Sequence, residues 1–433
     1  MKQIKNGKSN KLFYILTTVI FVSIIMVIAV LLLANGQKVH NYSIAYLHDG
    51  EIDLNDNDEL KDHSEKIFEA GSLGKIVTAY ICMRLVEEKK ISLDDKIVGY
   101  LDENMISDDL RMNDITVRQL LSHTAGFSPS FEMGIDKKIY YTPGSNFCYS
   151  GVGYIYLQKI IEKITGQEFE MVAQKYVFKP LIMQNSTFET VDTVNPYVKT
   201  SSLTIYVVVI SAVISIAFFL LGLIMKLIMK FQFLSISNMF YISIAIGMLV
   251  ELLLIYFIVP RVILVVFIYE IIGIIVLLAS RKSIKYYAYI LYIVCVLVFG
   301  MIMPVSLPLG PSFVSQEPNA AFTLKTTSYD MALFANELLK ICKSDADIKR
   351  EMFHPQIQID DINSWGLGIA IEEEDNSVTY WHSGINMGMQ SLFVLLPQEN
   401  QAVIVMTNSD YGLEFAKDIT RKNLGIYGTW DIN

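Results

Sequence analysis

Apolar residues are arranged along this chain in two ways, as long unbroken runs and as short periodic patterns between them. The first run spans 12–34. At about 1.5 Å of helical rise per residue it is long enough to cross a bilayer. It exceeds an ordinary signal-peptide core, and Asn35-Gly36-Gln37 offers no small-x-small cleavage site, so an uncleaved transmembrane anchor is expected. Four more runs fall within 201–308, at about 203–225, 238–259, 262–279 and 286–305, each near spanning length. Lys2, Lys5, Lys8 and Lys11 precede the anchor, Lys226 and Lys230 follow the first run of the block, and Arg281, Lys282 and Lys285 precede the last. No acid accompanies any of these groups. The positive-inside rule assigns all three to the cytoplasm, and counting spans from the anchor gives the same side. Residues 1–11 are thus predicted as a cytoplasmic tail. The even number of spans in the block leaves 38–200 and 310–433 as two pieces of one domain outside the membrane.

Those two pieces carry shorter periods. Tyr42–Glu51 alternates into an Asp49-Gly50 turn and reads as a strand. From Ser72 onward, Ile76, Ala79, Tyr80, Met83 and Val86 recur at helical spacing. Further helices are predicted over Ile115–Leu121, Gly153–Thr165, Tyr329–Ile341 and Leu413–Asn423. Strands are predicted over Gly366–Ile371, Ser377–Trp381, Ser391–Leu396 and Ala402–Thr407. Helices first and a hairpin-rich strand set afterwards imply an α+β domain whose sheet collects strands from both pieces.

Composition agrees with this division. A hydrophobic fraction of 52% with only 18% charged residues, and a mean hydropathy of +0.40, require the apolar residues to be concentrated somewhere. The net charge of −9 argues against nucleic acid as a partner, since there is no basic surplus to neutralise phosphates. Setting the nine unopposed basic residues named above against that −9 leaves −18 for the remainder, so the exposed domain is acidic. Cys82, Cys148, Cys295 and Cys342 form neither a CxxC pair nor a metal-ligand spacing. A disulfide among Cys82, Cys148 and Cys342 stays open at this level.

Ser72-Leu73-Gly74-Lys75 is the segment with the clearest chemistry. An S-x-x-K at a helix start puts both side chains on one face of the first turn. The helix N-terminus favours negative charge there, and the Ser72 amide is placed to donate to a developing oxyanion. A lysine beside a serine can take its proton when burial lowers the amine pKa. Alone the tetrapeptide is common enough to arise by chance.

Its company is not. The chain resembles the class C β-lactamase family and its related penicillin-binding proteins, D-aminopeptidases and esterases. The resemblance runs through Phe68-Glu-Ala-Gly-Ser-Leu-Gly-Lys75, Leu85–Asp95, Ile115–Phe127 and Tyr141–Gly151, then past the apolar block through Thr327–Phe334 and Trp381-His-Ser-Gly-Ile-Asn-Met-Gly388. It implies a class C β-lactamase-like fold, an antiparallel sheet flanked by helices with an all-helical region, here interrupted by a four-helix transmembrane insertion. It makes Ser72 the nucleophile, with Lys75 and Tyr149 moving protons and the Ser72 and Ile385 amides forming the oxyanion hole. The family's Y-x-N falls on Tyr149-Ser150-Gly151, so Gly151 replaces the Asn that helps to recognise the substrate amide. The third motif falls on His382-Ser383-Gly384, expected to line the substrate cleft. His382 could donate to a substrate carboxylate when protonated, but as neutral imidazole it lacks lysine's permanent charge. His123 is expected to support a helix–loop corner.

The expectation is a multi-pass protein of a bacterial cytoplasmic membrane, with the lipid bilayer and a small-molecule or peptide substrate on the outer face as its partners. The resemblance implies no cofactor, and no metal-ligand set is visible. The reaction expected is acyl transfer to water on cell-wall peptides ending in D-amino acids, D-aminoacyl amides or esters, or small esters. A catalytically weak sensor or immunity module is the alternative that the Gly151 substitution suggests. Glu251 and Glu270, inside the apolar block, read either as a polar site or as neutral acids bonded to nearby tyrosines.

Overall fold

The computed structural model describes residues 39, 41–56, 66–128, 137–199, 306–308, 317–374 and 377–432. The chain divides into two units, one of Met1–Lys38 with Val198–Gly310 and one of Val39–Tyr197 with Pro311–Asn433. The predicted anchor, the four spans, Glu251 and Glu270 lie outside the described residues. Among the described residues no helix is long and apolar enough to cross a membrane.

The second unit is α+β, as its periodicity implies. Its N-terminal piece forms strands β1 (Tyr42–His48), β2 (Glu51–Asp56) and β3 (Phe68–Gly71), then helices α1 (Gly74–Glu87), α2 (Val117–Leu121), α3 (Gly151–Thr165) and α4 (Phe169–Ala173). Short strands β4 (Tyr197–Lys199) and β5 (Ser306–Pro308), which but for Tyr197 belong to the first unit, pair with each other. The C-terminal piece gives β6 (Leu324–Thr326), α5 (Ser328–Lys343), β7 (Ile357–Gln358), β8 (Asn363–Trp365), β9 (Ala370–Glu374), β10 (Ser377–Asn386), β11 (Met389–Leu396), β12 (Gln401–Thr407) and α6 (Gly412–Leu424).

An antiparallel sheet in the order β2-β1-β12-β11-β10-β9-β8-β7 joins the two pieces, with β1 paired to β12 along its whole length. The β1–β2 hairpin turns on Asp49 (φ 52°) and Gly50 (φ 89°), the two left-handed residues that an Asp-Gly hairpin turn demands. Alternate residues feed two cores. Phe393, Leu395, Ala402, Ile404 and Met406 face α1 and α5, while Leu392, Val394, Val403 and Val405 face α6 and Trp430. Burial of each of these side chains but that of Ala402 contributes about 1.5–3 kcal/mol. With both faces covered, β11 and β12 read as nearly continuous apolar runs.

Two differences from the sequence reading bear on the site. The helix expected from Ser72 begins at Gly74, with Ser72 and Leu73 in the turn that opens it and Leu73 N–H donating to the Ala70 carbonyl. The strand expected at Gly366–Ile371 begins only at Ala370. Gly368 has φ 81° and packs its backbone on α1, with the position of a Cβ only 3.0 Å from the Tyr154 hydroxyl, so this stretch is a turn over the site.

Candidate active site

β3 delivers Ser72 and α1 delivers Lys75. Both side chains are buried, at 6% and 0% exposure. Lys75 Nζ donates to Ser72 Oγ at 3.0 Å and to the Ala321 carbonyl at 2.6 Å. It also lies over the rings of Tyr149 and Tyr154, 4.9 and 5.7 Å from their centroids. Aromatic faces and one carbonyl do not replace the hydration of an ammonium ion, and burial lowers the Lys75 pKa from 10.5 to about 7. A substantial share of the amine is therefore neutral at neutral pH and can accept the Ser72 proton.

Tyr149 also hydrogen-bonds Ser72. Burial raises the phenol pKa and the bond to Ser72 opposes this, so Tyr149 stays protonated at neutral pH. Its segment runs into α3, whose N-cap Ser150 accepts from Gly153 N–H at 3.3 Å. Gly151 is the first residue of α3 and is buried.

β10 supplies the third group. His382 is 2% exposed, and its Nδ1 lies 2.7 Å from the Ser383 carbonyl. A carbonyl only accepts, so Nδ1 carries the proton and Nε2 carries a lone pair. Burial, with the Lys75 charge as a smaller cause, lowers the His382 pKa to about 3, and the ring is neutral across the physiological range. Ser383 is half-buried and Gly384 fully so. A Cβ on Gly384 would run into the Ala70 carbonyl and Ser391 Oγ, and one on Gly71 would lie 3.0 Å from Ile385 N. These glycines let the end of β3 lie against β10. The backbone beside Ser72 thus approaches the Ile385 amide, while the Ile385 side chain is 55% exposed.

The arrangement brings together Ser72, Lys75, Tyr149, His382, Gly384 and Ile385 from segments on both sides of residues 200–305. Residues 27–205 match the family model described as Beta-lactamase. Over these residues the chain is similar to the β-lactamase and penicillin-binding-protein family of serine hydrolases. The fold is also that of the octameric penicillin-binding protein homologue from Pyrococcus abyssi, with a TM-score of 0.57 at 18% identity, covering 90% of this chain and 75% of that one. A D-stereospecific amidohydrolase from Streptomyces sp. gives a TM-score of 0.57 at 16% identity, covering 90% of this chain and 95% of that one. In sequence, the probable fimbrial assembly protein FimD, serogroup H1, of Dichelobacter nodosus is 30% identical over a 165-residue alignment that covers 32% of this chain and 42% of that protein. The chain spans about two fifths of the length of the curated relatives it matches.

Several groups of this site escape sequence reasoning. The Ala321 carbonyl belongs to a segment without secondary-structure signal, and a backbone acceptor leaves no trace in residue identity. Trp365 stands 5.4 Å from the His382 ring and 5.7 Å from Tyr149. Asn386 donates to the buried Glu69 carboxylate at 3.1 Å and to the Phe322 carbonyl at 3.3 Å, tying β10 to β3 beside Ser72. Cys82, Cys148 and Cys342 are free thiols, and burial lifts Cys82 to about 12. Among the described residues no cluster of His, Cys, Asp and Glu could hold a metal ion.

Proposed function

We propose that the protein is a membrane-bound serine hydrolase acting through an acyl-enzyme on an amide or ester outside the cell. The contact of Lys75 Nζ with Ser72 Oγ at 3.0 Å, in a pocket that holds the amine near pKa 7, carries this reading. Lys75 takes the proton as Ser72 Oγ attacks the carbonyl, and the Ser72 and Ile385 amides receive the oxyanion. Tyr149 passes a proton to the departing amine or alcohol. Water then attacks the acyl-enzyme, the same groups return the proton to Ser72, and the acid leaves.

The lone pair of His382 Nε2 suits a substrate N–H or O–H and repels a carboxylate, while Gly151 offers no side-chain amide to the scissile bond. Both favour small substrates without a carboxylate, D-aminoacyl amides or esters and simple esters, over β-lactams and peptides with a free carboxylate. The runs of 12–34 and 201–308 with their basic flanks support a multi-pass protein of the bacterial cytoplasmic membrane.

A hydrolysis screen of D-aminoacyl amides, D-aminoacyl esters, short-chain esters and a cephalosporin on the full chain and on Ser72→Ala tests this. Turnover of a neutral amide or ester that vanishes in Ser72→Ala is expected. Turnover retained in Ser72→Ala overturns it, and a wild type that holds an acyl group without releasing it points to a sensor instead.

A further inference from the structure

His123 has no part in the proton path above, yet it touches nearly everything that holds Tyr149. It follows α2 at φ 56°, in the left-handed region that histidine enters more readily than most side chains. It is 2% exposed. Its carbonyl accepts Cys148 N–H at 2.8 Å, and its Nδ1 accepts Ser150 N–H at 3.1 Å. These are the residues immediately before and after Tyr149. The imidazole also lies against the Tyr149 ring, with centroids 4.3 Å apart, and Trp365 and Tyr154 close in at 5.0 and 5.2 Å.

A backbone N–H only donates, so Nδ1 must be unprotonated and the ring proton must sit on Nε2. The bond to Ser150 therefore requires neutral imidazole. Burial ensures this, reinforced by Lys75, and depresses the His123 pKa. A hydrophobic side chain could fill the same volume, but it could not accept from Ser150. We propose that His123 is the positioning residue for Tyr149, fixing its hydroxyl against Ser72 by holding the backbone on both sides of it and the face of its ring. The inference rests on the acyl-transfer reading.

A double-mutant cycle on the full chain tests it, with a fluorescent phosphonate as the probe and the maximal inactivation rate and apparent affinity measured separately. A misplacement of about 1 Å at a reacting group costs on the order of 100-fold, so His123→Ala is expected to lower the maximal rate by about that factor with affinity within about threefold. In a Tyr149→Phe background the same substitution should cost less than about threefold, because its effect runs through the phenol. His123→Asn places an amide oxygen near the site of Nδ1 and tolerates positive φ, so it should recover at least about tenfold of the loss. Equal losses in both backgrounds, or no rescue by Asn when thermal midpoints match, would overturn the proposal. An unlabelled wild type would remove the acyl-transfer reading and this inference with it, whereas labelling of His123→Ala at the wild-type rate removes the inference alone.

Discussion

Replacing Lys75 by methionine should make the protein more stable and inactive at once. Holding the Lys75 pKa at about 7 against an ordinary 10.5 means that burial disfavours the ammonium by about three and a half pH units. At 1.36 kcal/mol per unit, this costs on the order of 5 kcal/mol of stability. The sign follows from proton counting. Between about pH 7 and 10.5 the unfolded chain binds a proton at Lys75 that the folded chain does not, so stability rises with pH across that window. The cost is fully present below pH 7 and gone above 10.5. Methionine of similar length removes it but leaves the Ala321 carbonyl and Ser72 Oγ without their donor, a loss of about 1–3 kcal/mol. Lys75→Met should therefore be more stable than wild type by about 2–4 kcal/mol near pH 6.5, with the advantage shrinking by about 1.4 kcal/mol per pH unit above pH 7 and reversing between about pH 8.5 and 10. Denaturant titration followed by tryptophan fluorescence reads this in the full chain. The protein has three tryptophans, and Trp365, Trp381 and Trp430 all lie buried in the unit that holds Ser72. A stability difference that stays constant from about pH 6.5 to 10 would refute the reasoning.

Three further outcomes are expected. Phosphonate labelling of Ser72 should accelerate through about pH 7 as Lys75 loses its proton and then level off, with no step from His382, which is neutral down to about pH 3; a second inflection near pH 6.5 that disappears in His382→Gln would contradict the assignment. His382→Lys should raise the preference for carboxylate-terminated over neutral substrates by about tenfold, the scale of one added charge-assisted contact; an unchanged ratio of kcat/KM values would place the substrate elsewhere. Gly384→Ala has no room between the Ala70 carbonyl and Ser391 Oγ. It should cut the labelling rate by about 100-fold or more and lower the thermal midpoint, and a fully active variant would show that the β3–β10 contact is not needed.

What could be read from the sequence was what repeats or what is spelled by side chains. The spacing of Ile76, Ala79, Tyr80 and Met83 marks α1, and Asp49-Gly50 marks its hairpin, because each follows from local geometry. The ordered motifs put Ser72, Lys75, Tyr149 and His382 within one site although residues 200–305 intervene. The misplacements have local causes. Ser72 and Leu73 belong to a turn because β3 must end at Gly71 against Ile385, and residues 366–369 turn over α1 rather than extend. β3 and β6, at four and three residues, are too short for alternation to announce them. The Ala321 carbonyl, the Trp365 ring and the link from His123 to Ser150 depend on long-range packing, which single-residue patterns do not encode.

Intact-mass analysis of the full chain after brief exposure to a D-aminoacyl ester, followed by peptide mapping, tests the central claim most directly. An added acyl group on the peptide carrying Ser72, decaying as product appears and absent from Ser72→Ala and Lys75→Met, is the predicted result. An acyl group on any other residue, or product formation that survives in Ser72→Ala, would contradict the claim.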